Sequence, residues 1–211
     1  MQANKNIILR LSKYKNALTR LKTFGFVKVF SDNLADAAGV TSGLVRKDFS
    51  LFDIKGNKKG GYLIDDLMER LNSILGKNQV QKVIVVGAGN IGHALMRYKG
   101  FEKEGIRIAA CFEIDPSKFD PGALVPILPL EGLKEFAKAN KIKIAVMAVP
   151  DVAAQNVWDI LKDAGIKGVM NFAPIRLRDA EDYVINNVNL ELELENVIYF
   201  VNAMGRTKDK K

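Results

Sequence analysis

The chain has 211 residues, 48% of them hydrophobic and 27% charged, with a net charge of +8 at neutral pH. That gives room for one large domain or two small ones with real cores, and it excludes a disordered chain. No apolar run approaches the roughly 20 residues of a membrane span.

The opening segment, "MQANKNIILRLSKYK" (1–15), is too basic and polar for the apolar region of a signal peptide. Cys111 is the only cysteine, which excludes an intramolecular disulfide and suits a reducing compartment, so the expected location is cytoplasmic. The charge is unevenly divided. Residues 1–77 carry 14 Lys and Arg against 7 Asp and Glu, whereas residues 78–205 carry 14 against 16. A basic N-terminal third on a slightly acidic body points to a polyanionic partner for that third. A solvated lysine-rich surface is the alternative that charge alone leaves open.

Leu9, Leu11, Tyr14, Leu18 and Leu21 recur near helical spacing and predict a helix ending before Gly25. Ser31-Asp32-Asn33 offers N-cap residues to a short helix, Leu34 to Ala38, closed by Gly39. Thr41-Ser42 offers a second cap, and "GLVRKDFSLF" (43–52) continues as a helix. Two helices joined at Gly39-Val40 have the form of a helix-turn-helix, whose second helix enters the major groove. In "DIKGNKKGGYLI" (53–64), Gly56-Asn57 and Gly60-Gly61 are turn signals, with Lys55, Lys58 and Lys59 crowded around them. That predicts a basic hairpin, the wing of a winged helix. "DDLMERLNSILGKN" (65–78) is a further amphipathic helix stopping at Gly76, and the first domain is expected to span 1–78.

From Lys82 strands and helices alternate, the mark of a parallel α/β sheet. Strands are expected at 83–86, 107–112, 143–149, 167–171 and 184–188, and helices at 90–103, 131–140 and 152–164. This second domain is expected to span 79–185. Within it, "VIVVGAGNIGHAL" (83–95) runs a buried-type strand into Gly87-Ala88-Gly89-Asn90-Ile91-Gly92 and a helix, the context a dinucleotide fingerprint requires. Gly87 permits the tight turn, Gly89 lets a pyrophosphate approach, and Gly92 lets the helix pack on the sheet. Glu113 follows about 20 residues later, with Asp115 close behind, where a carboxylate holds the adenosine ribose. A negative charge there repels a 2′-phosphate, so NAD(H) is expected over NADP(H).

"AVPD" (148–151), with Val149 and Pro150, and "NFAP" (171–174) each end a strand on the edge where such sheets bind ligands. Asn171 there is placed to hydrogen-bond a carboxamide and Phe172 to wall a ring, although each taken singly reads better as an ordinary loop residue. The only histidine, His93, sits one residue past Gly92 and reads as a helix residue, and Cys111 reads as core. No metal-ligand cluster and no proton donor suited to hydride chemistry stand out. Nor is there length left for a substrate domain, so the dinucleotide reads as a signal and the chain as no enzyme. At the C-terminus, Leu190, Leu192 and Leu194 alternate with glutamates as in a strand, while Leu190, Leu194, Val197, Ile198 and Val201 fit a helix.

These segments together resemble Rex, the redox-sensing transcriptional repressors of bacteria, from about residue 9 to residue 200. The resemblance is carried by "RL" (10–11) with Tyr14, "LADAAGV" (34–40), "VRKD" (45–48), "KGGY" (59–62), "GAGNIG" (87–92), "FEIDP" (112–116), "AGIKG" (164–168) with "NFAP", and "NVNLELE" (187–193). It implies a homodimer whose subunits each combine a winged helix-turn-helix domain and a Rossmann-type parallel sheet binding NADH or NAD+. Residues 186–211 would then form a helix swapped onto the partner, with a charged tail. It also implies binding to an inverted-repeat operator in double-stranded DNA, and release when NADH rises. Arg46 and Lys47 would contact DNA from the recognition helix, with Thr41, Ser42 and Ser50 nearby, and Lys55, Lys58 and Lys59 would place the wing. Tyr98 would lie near the nicotinamide and the subunit interface, and Leu190 stands where some members put a phenylalanine into the nicotinamide site.

Four departures accompany the match. Asn16 and Asn189 replace an arginine and an aspartate that take part in the family's switch, Leu44 replaces a glutamine, and "RKDFSLFD" (46–53) replaces "RKDLSYFG". Two asparagines can hydrogen-bond but cannot form an ion pair, so switching or operator preference is expected to have drifted. A small NAD-dependent oxidoreductase and a DNA-binding protein without redox switching are the other readings.

Overall fold

Leu11, Tyr14, Ala17 and Leu18 fall on one stripe of α1 (Lys5–Thr23), and that stripe is wholly buried. The helix starts earlier than its leucine spacing announces and ends before Gly25, which adopts a left-handed φ of 84°. The computed structural model describes residues 5–57, 60–177 and 182–208 and divides into two units, Met1–Val80 and Gln81–Lys211.

In the first unit, α2 (Ser31–Ala38) begins a turn before the expected Leu34. Ser31, Asp32 and Asn33 therefore form its first turn instead of capping it, and Asn33 Oδ1 reaches back to accept the Phe30 N–H at 3.2 Å. Gly39, at φ 68°, closes α2. The next helix, α3 (Ser42–Leu51), is capped by Thr41, whose hydroxyl accepts the Leu44 N–H. The wing differs from the hairpin read in the sequence. β2 (Tyr62–Leu63) pairs antiparallel with β1 (Lys28–Val29), a two-residue strand ahead of α2, while a lone Asn57–Gly61 bridge closes the turn. The close approach of β1 requires Gly61: a Cβ there would stand 2.6 Å from the Val29 carbonyl oxygen. Then α4 (Ile64–Ile74) buries Ile64, Leu67 and Leu71. Phe49 of α3 centres this core, edge-on to both Tyr14 and Tyr62.

The second unit is a six-stranded, wholly parallel sheet: β3 (Gln81–Val86), β4 (Ile106–Glu113), β5 (Ile127–Pro129), β6 (Ile144–Met147), β7 (Gly168–Asn171) and β8 (Val184–Asn187). The spatial order β5-β4-β3-β6-β7-β8 is that of the doubly wound nucleotide-binding fold, with its switch point between β3 and β6. An apolar run in β3 is needed because both faces are covered. Ile84 and Val86 pack with Trp158 and Leu161, and Val83 and Val85 pack with Cys111 and Val146. β5, unread in the sequence, has only three residues and ends in proline, too few to show a period.

The crossovers run through α5 (Asn90–Met96), α6 (Gly100–Lys103), α7 (Leu133–Ala139) and α8 (Asp151–Asp163). The single helix expected over 90–103 is thus two. The chain breaks at Arg97–Lys99, where the Tyr98 ring folds over Gly100, so closely that a Cβ there would sit 2.4 Å from the ring. At the C-terminus α9 (Leu190–Lys208) is a helix, which settles the strand-or-helix ambiguity. Among the described residues no helix is long and apolar enough to cross a membrane.

Candidate functional site

In the first unit the surface of interest is α3. It buries Val45, Asp48 and Phe49, which leaves Thr41, Arg46, Lys47 and Ser50 exposed and Ser42 half-buried along the opposite side. The helix is fixed from beneath by a group that sequence reasoning passed over. Asp48 receives Arg10 Nε at 2.6 Å and Nη2 at 2.7 Å, and the Tyr14 hydroxyl at 2.8 Å. Burial alone would raise the Asp48 pKa; hydrogen bonds from Arg10 and Tyr14 outweigh it and hold the carboxyl below its usual range. The available signal was an aspartate on the buried stripe of a helix, which demands a partner. Arg46 approaches Asp32 only to 4.0 Å, with both side chains exposed, so it stays available to other partners. Lys55 is exposed beside Asp53, and Lys58 and Lys59 lie outside the described residues.

In the second unit the glycine turn sits at the carboxyl end of β3. Gly87, at φ 102°, lies so close to β6 that a Cβ would meet the Ala148 carbonyl oxygen at 2.4 Å, and a Cβ on Gly92 would fall 2.0 Å from the Gly87 oxygen. Gly89, at the N-cap of α5, faces open space instead. Two glycines are thus demanded by the chain itself, and the third keeps a surface clear on which a pyrophosphate fits. Ala88 is buried, while Asn90 and Ile91 are exposed.

Glu113 also serves this turn, a role its spacing did not announce. Its Oε2 accepts the Ala88 N–H at 2.8 Å, and its Oε1 accepts those of Ile114 and Asp115 at 2.7 and 3.1 Å. Lys118 Nζ stands 3.5 Å from Oε2. Burial would raise the Glu113 pKa, but the amide bonds, led by Ala88, lower it. Glu113 thus holds the glycine turn, with Oε1 taking two amides and Oε2 one, which leaves an acceptor site on Oε2. Asp115 binds Ser117 through Oδ1 only, which leaves Oδ2 facing Lys118 at 3.8 Å, half-exposed and open to a hydroxyl.

Asn171 takes the loop role, the favoured of its two sequence readings. It is 0% exposed: its Oδ1 accepts the Ala173 N–H at 2.9 Å, and its Nδ2 donates to Ile175 O at 2.7 Å and Asn187 Oδ1 at 2.9 Å. All its donors are used within the chain, so it shapes the loop instead of meeting a carboxamide. The neighbouring Val149 and Phe172 are half-buried and Pro150 is exposed, at the carboxyl ends of β6 and β7. Tyr98 is 60% exposed beside Phe101, and His93 lies half-buried in α5. Burial pushes the Cys111 thiol up to about 12, which makes it core.

Asn189 caps α9, its Oδ1 accepting the Leu192 N–H at 3.0 Å; Asn16 is exposed on α1. Leu190, Leu194, Val197, Ile198, Val201 and Met204 on α9 are each 51–68% exposed. Among the described residues no group of three His, Cys, Asp or Glu could hold a metal ion.

Two family models match, one described as a CoA binding domain over residues 78–175 and one as a putative DNA-binding protein N-terminus over residues 5–50. The redox-sensing transcriptional repressor Rex of Desulfitobacterium hafniense is 38% identical over 92% of this chain and 93% of its own. That of Thermosipho africanus is 40% identical over the same shares. Among solved structures, the Rex-family repressor RSP in complex with β-NAD+ and operator DNA is 32% identical, with a TM-score of 0.90 over 99% of this chain and 97% of that one. RSP in complex with β-NADH, also 32% identical, gives 0.85 over the whole of both chains.

Proposed function

The chain belongs to the Rex family of redox-sensing transcriptional repressors, and from that membership we propose that it is a homodimer that binds an inverted-repeat operator and releases it when NADH binds. The observation that carries the cofactor half is the contrast within the glycine turn. Gly87 and Gly92 are forced by backbone contacts, while Gly89 leaves open a place no part of the chain fills. RSP binds both NAD+ and NADH, and the residues here fit the same group. The turn over 87–92 would hold the pyrophosphate, with Asp115 and Lys118 at the ribose, and Val149, Pro150, Phe172 and Tyr98 toward the nicotinamide.

The DNA half rests on the exposed side of α3. Arg46 is suited to a base edge and Lys47 to phosphate, flanked by Thr41, Ser42 and Ser50, with Lys55 beyond them; Lys58 and Lys59, outside the described residues, are the further basic residues of this segment. The homodimer is supported by α9, whose exposed apolar side chains need a cover that a second copy offers. Leu190, at its start, would close the partner's nicotinamide site. An apolar enclosure of that kind favours the neutral dihydronicotinamide over the cationic oxidised ring. Release then follows from population shift, since NADH moves the equilibrium only by its preference for the released form. The setting is the cytoplasm, where the operator is.

Operator binding at fixed salt, measured across an NADH/NAD+ series, tests this reading. Loss of binding as NADH rises is the expected result, and binding indifferent to the ratio overturns it.

A further inference from the structure

The described stretch after β7, residues 172–177, has no helix or strand, yet it is fastened at several points by two asparagines. Asn171, the last residue of β7, holds the Ala173 N–H and the Ile175 carbonyl with its buried amide. Asn187, the last residue of β8, pairs with the backbone of Leu177. Its Oδ1 accepts the Leu177 N–H at 3.1 Å, and its Nδ2 donates to Leu177 O at 3.2 Å. The two side chains join directly, Asn171 Nδ2 to Asn187 Oδ1, at 2.9 Å. The backbone adds a further tie, Val188 N–H to Asn171 O at 2.8 Å, one residue before the Asn189 cap of α9.

We propose that the Asn171–Asn187 pair is a positioning clasp that joins the Phe172 loop to the lead of α9, so that the nicotinamide side of the cleft and the start of α9 move as one body. The proposal rests on the dinucleotide reading above and adds to it the part of the chain through which the nicotinamide is felt. Phe172 is placed by the clasp on one side and by its own N–H bond to Met147 O at 2.8 Å on the other. The residues of the clasp sit at the ends of adjacent parallel strands, in register as Asn171↔Asn187. An amide is required at 171 because two donors and an acceptor are all in use. Aspartate lacks the donors, and glutamine is a methylene too long.

The pair touches neither the glycine turn nor the Asp115 region, so it should govern the nicotinamide end alone. The test uses the full-length chain and three ligands: NADH, NAD+ and ADP-ribose, which lacks the nicotinamide. Asn187 stands at the exposed end of β8, so its replacement removes no side chain from the apolar core. In Asn187→Ala the NADH-over-NAD+ preference is expected to fall by roughly fivefold or more, the low end of measured coupling between sites, with ADP-ribose affinity unchanged. Asn187→Asp keeps the acceptor for Asn171 and for the Leu177 amide, and is expected to retain most of the preference.

A preference unchanged in Asn187→Ala overturns the clasp, as does an equal loss for all three ligands. If the unsubstituted chain binds no ADP-ribose, the dinucleotide reading itself fails, and the clasp with it.

Discussion

Arg10 and Asp48, 38 residues apart in the chain, meet in a two-pronged bond that ties the first helix to the underside of α3, with Tyr14 as a third donor. The exposed face of α3 is therefore aimed by a charge pair beneath it, with Asp48 buried and Arg10 reaching to the surface. Asp48→Ala leaves the buried Tyr14 hydroxyl without its acceptor and Arg10 without its partner, and should cost about 1–3 kcal/mol of stability. Chemical denaturation measures this, and operator affinity should fall with it although Asp48 touches no DNA.

The same pair sets a pH dependence. The folded-state pKa of Asp48 lies below its unfolded value, so its contribution is fully present above the ordinary carboxylate pKa of about 3.9 and is lost as pH falls through the folded value. Acid unfolding of Asp48→Asn should accordingly be shallower than that of the unsubstituted chain. Equal slopes would show that the pair does not govern acid stability.

Gly89 and Gly92 separate folding from binding. A Cβ at Gly89 meets nothing within 4 Å, whereas one at Gly92 strikes the Gly87 carbonyl. Gly89→Ala should therefore melt within about 1 kcal/mol of the unsubstituted chain, the usual cost at an N-cap, yet bind NADH far more weakly. Gly92→Ala should lose both stability and binding. Thermal melts and NADH titrations on the two variants make the comparison, and normal NADH binding by Gly89→Ala would remove the pyrophosphate from this turn.

How much of this was legible depended on whether the signal was local. The glycine turn was read correctly because a buried strand, a tight turn and a helix start lie within about a dozen residues. The Thr41 cap of α3 was read for the same reason. What went unread involved partners far apart. β1 is two residues long, and only its pairing with Tyr62–Leu63 makes it a strand. Spacing marked Glu113 as an acid at the end of β4, but its bond to the Ala88 amide, 25 residues away, left no local trace. The loop role of Asn171 was the favoured reading, but its partner Asn187, sixteen residues on, was not visible.

Glu113 supplies a further test. Its carboxylate accepts three backbone N–H groups, and a glutamine keeps only one oxygen for them. Glu113→Gln should cost about 1–3 kcal/mol, the penalty for a lost charge-assisted bond in a buried place. It should also weaken NADH and ADP-ribose alike, because the turn itself loosens. Differential scanning calorimetry beside ligand titration reads both. Weaker binding without lost stability would return Glu113 to direct contact with the ribose.

Val197, 58% exposed near the middle of α9, lies on the stripe formed with Leu190, Leu194, Ile198 and Val201. Within one chain a charge at this position meets water, so Val197→Asp should leave the fold of each unit intact. Against a second copy the same charge would be buried without a partner, at a cost that separates the subunits. A separated subunit reaches one half-site only, and the gain of joining two binding modules, commonly 10²–10⁴ in affinity, is lost. Sedimentation of Val197→Asp should then show a monomer, with operator affinity down by at least about a hundredfold and NADH still able to bind the glycine turn. A variant that sediments as the unsubstituted chain does would mean that the apolar stripe of α9 is covered by something other than a second copy.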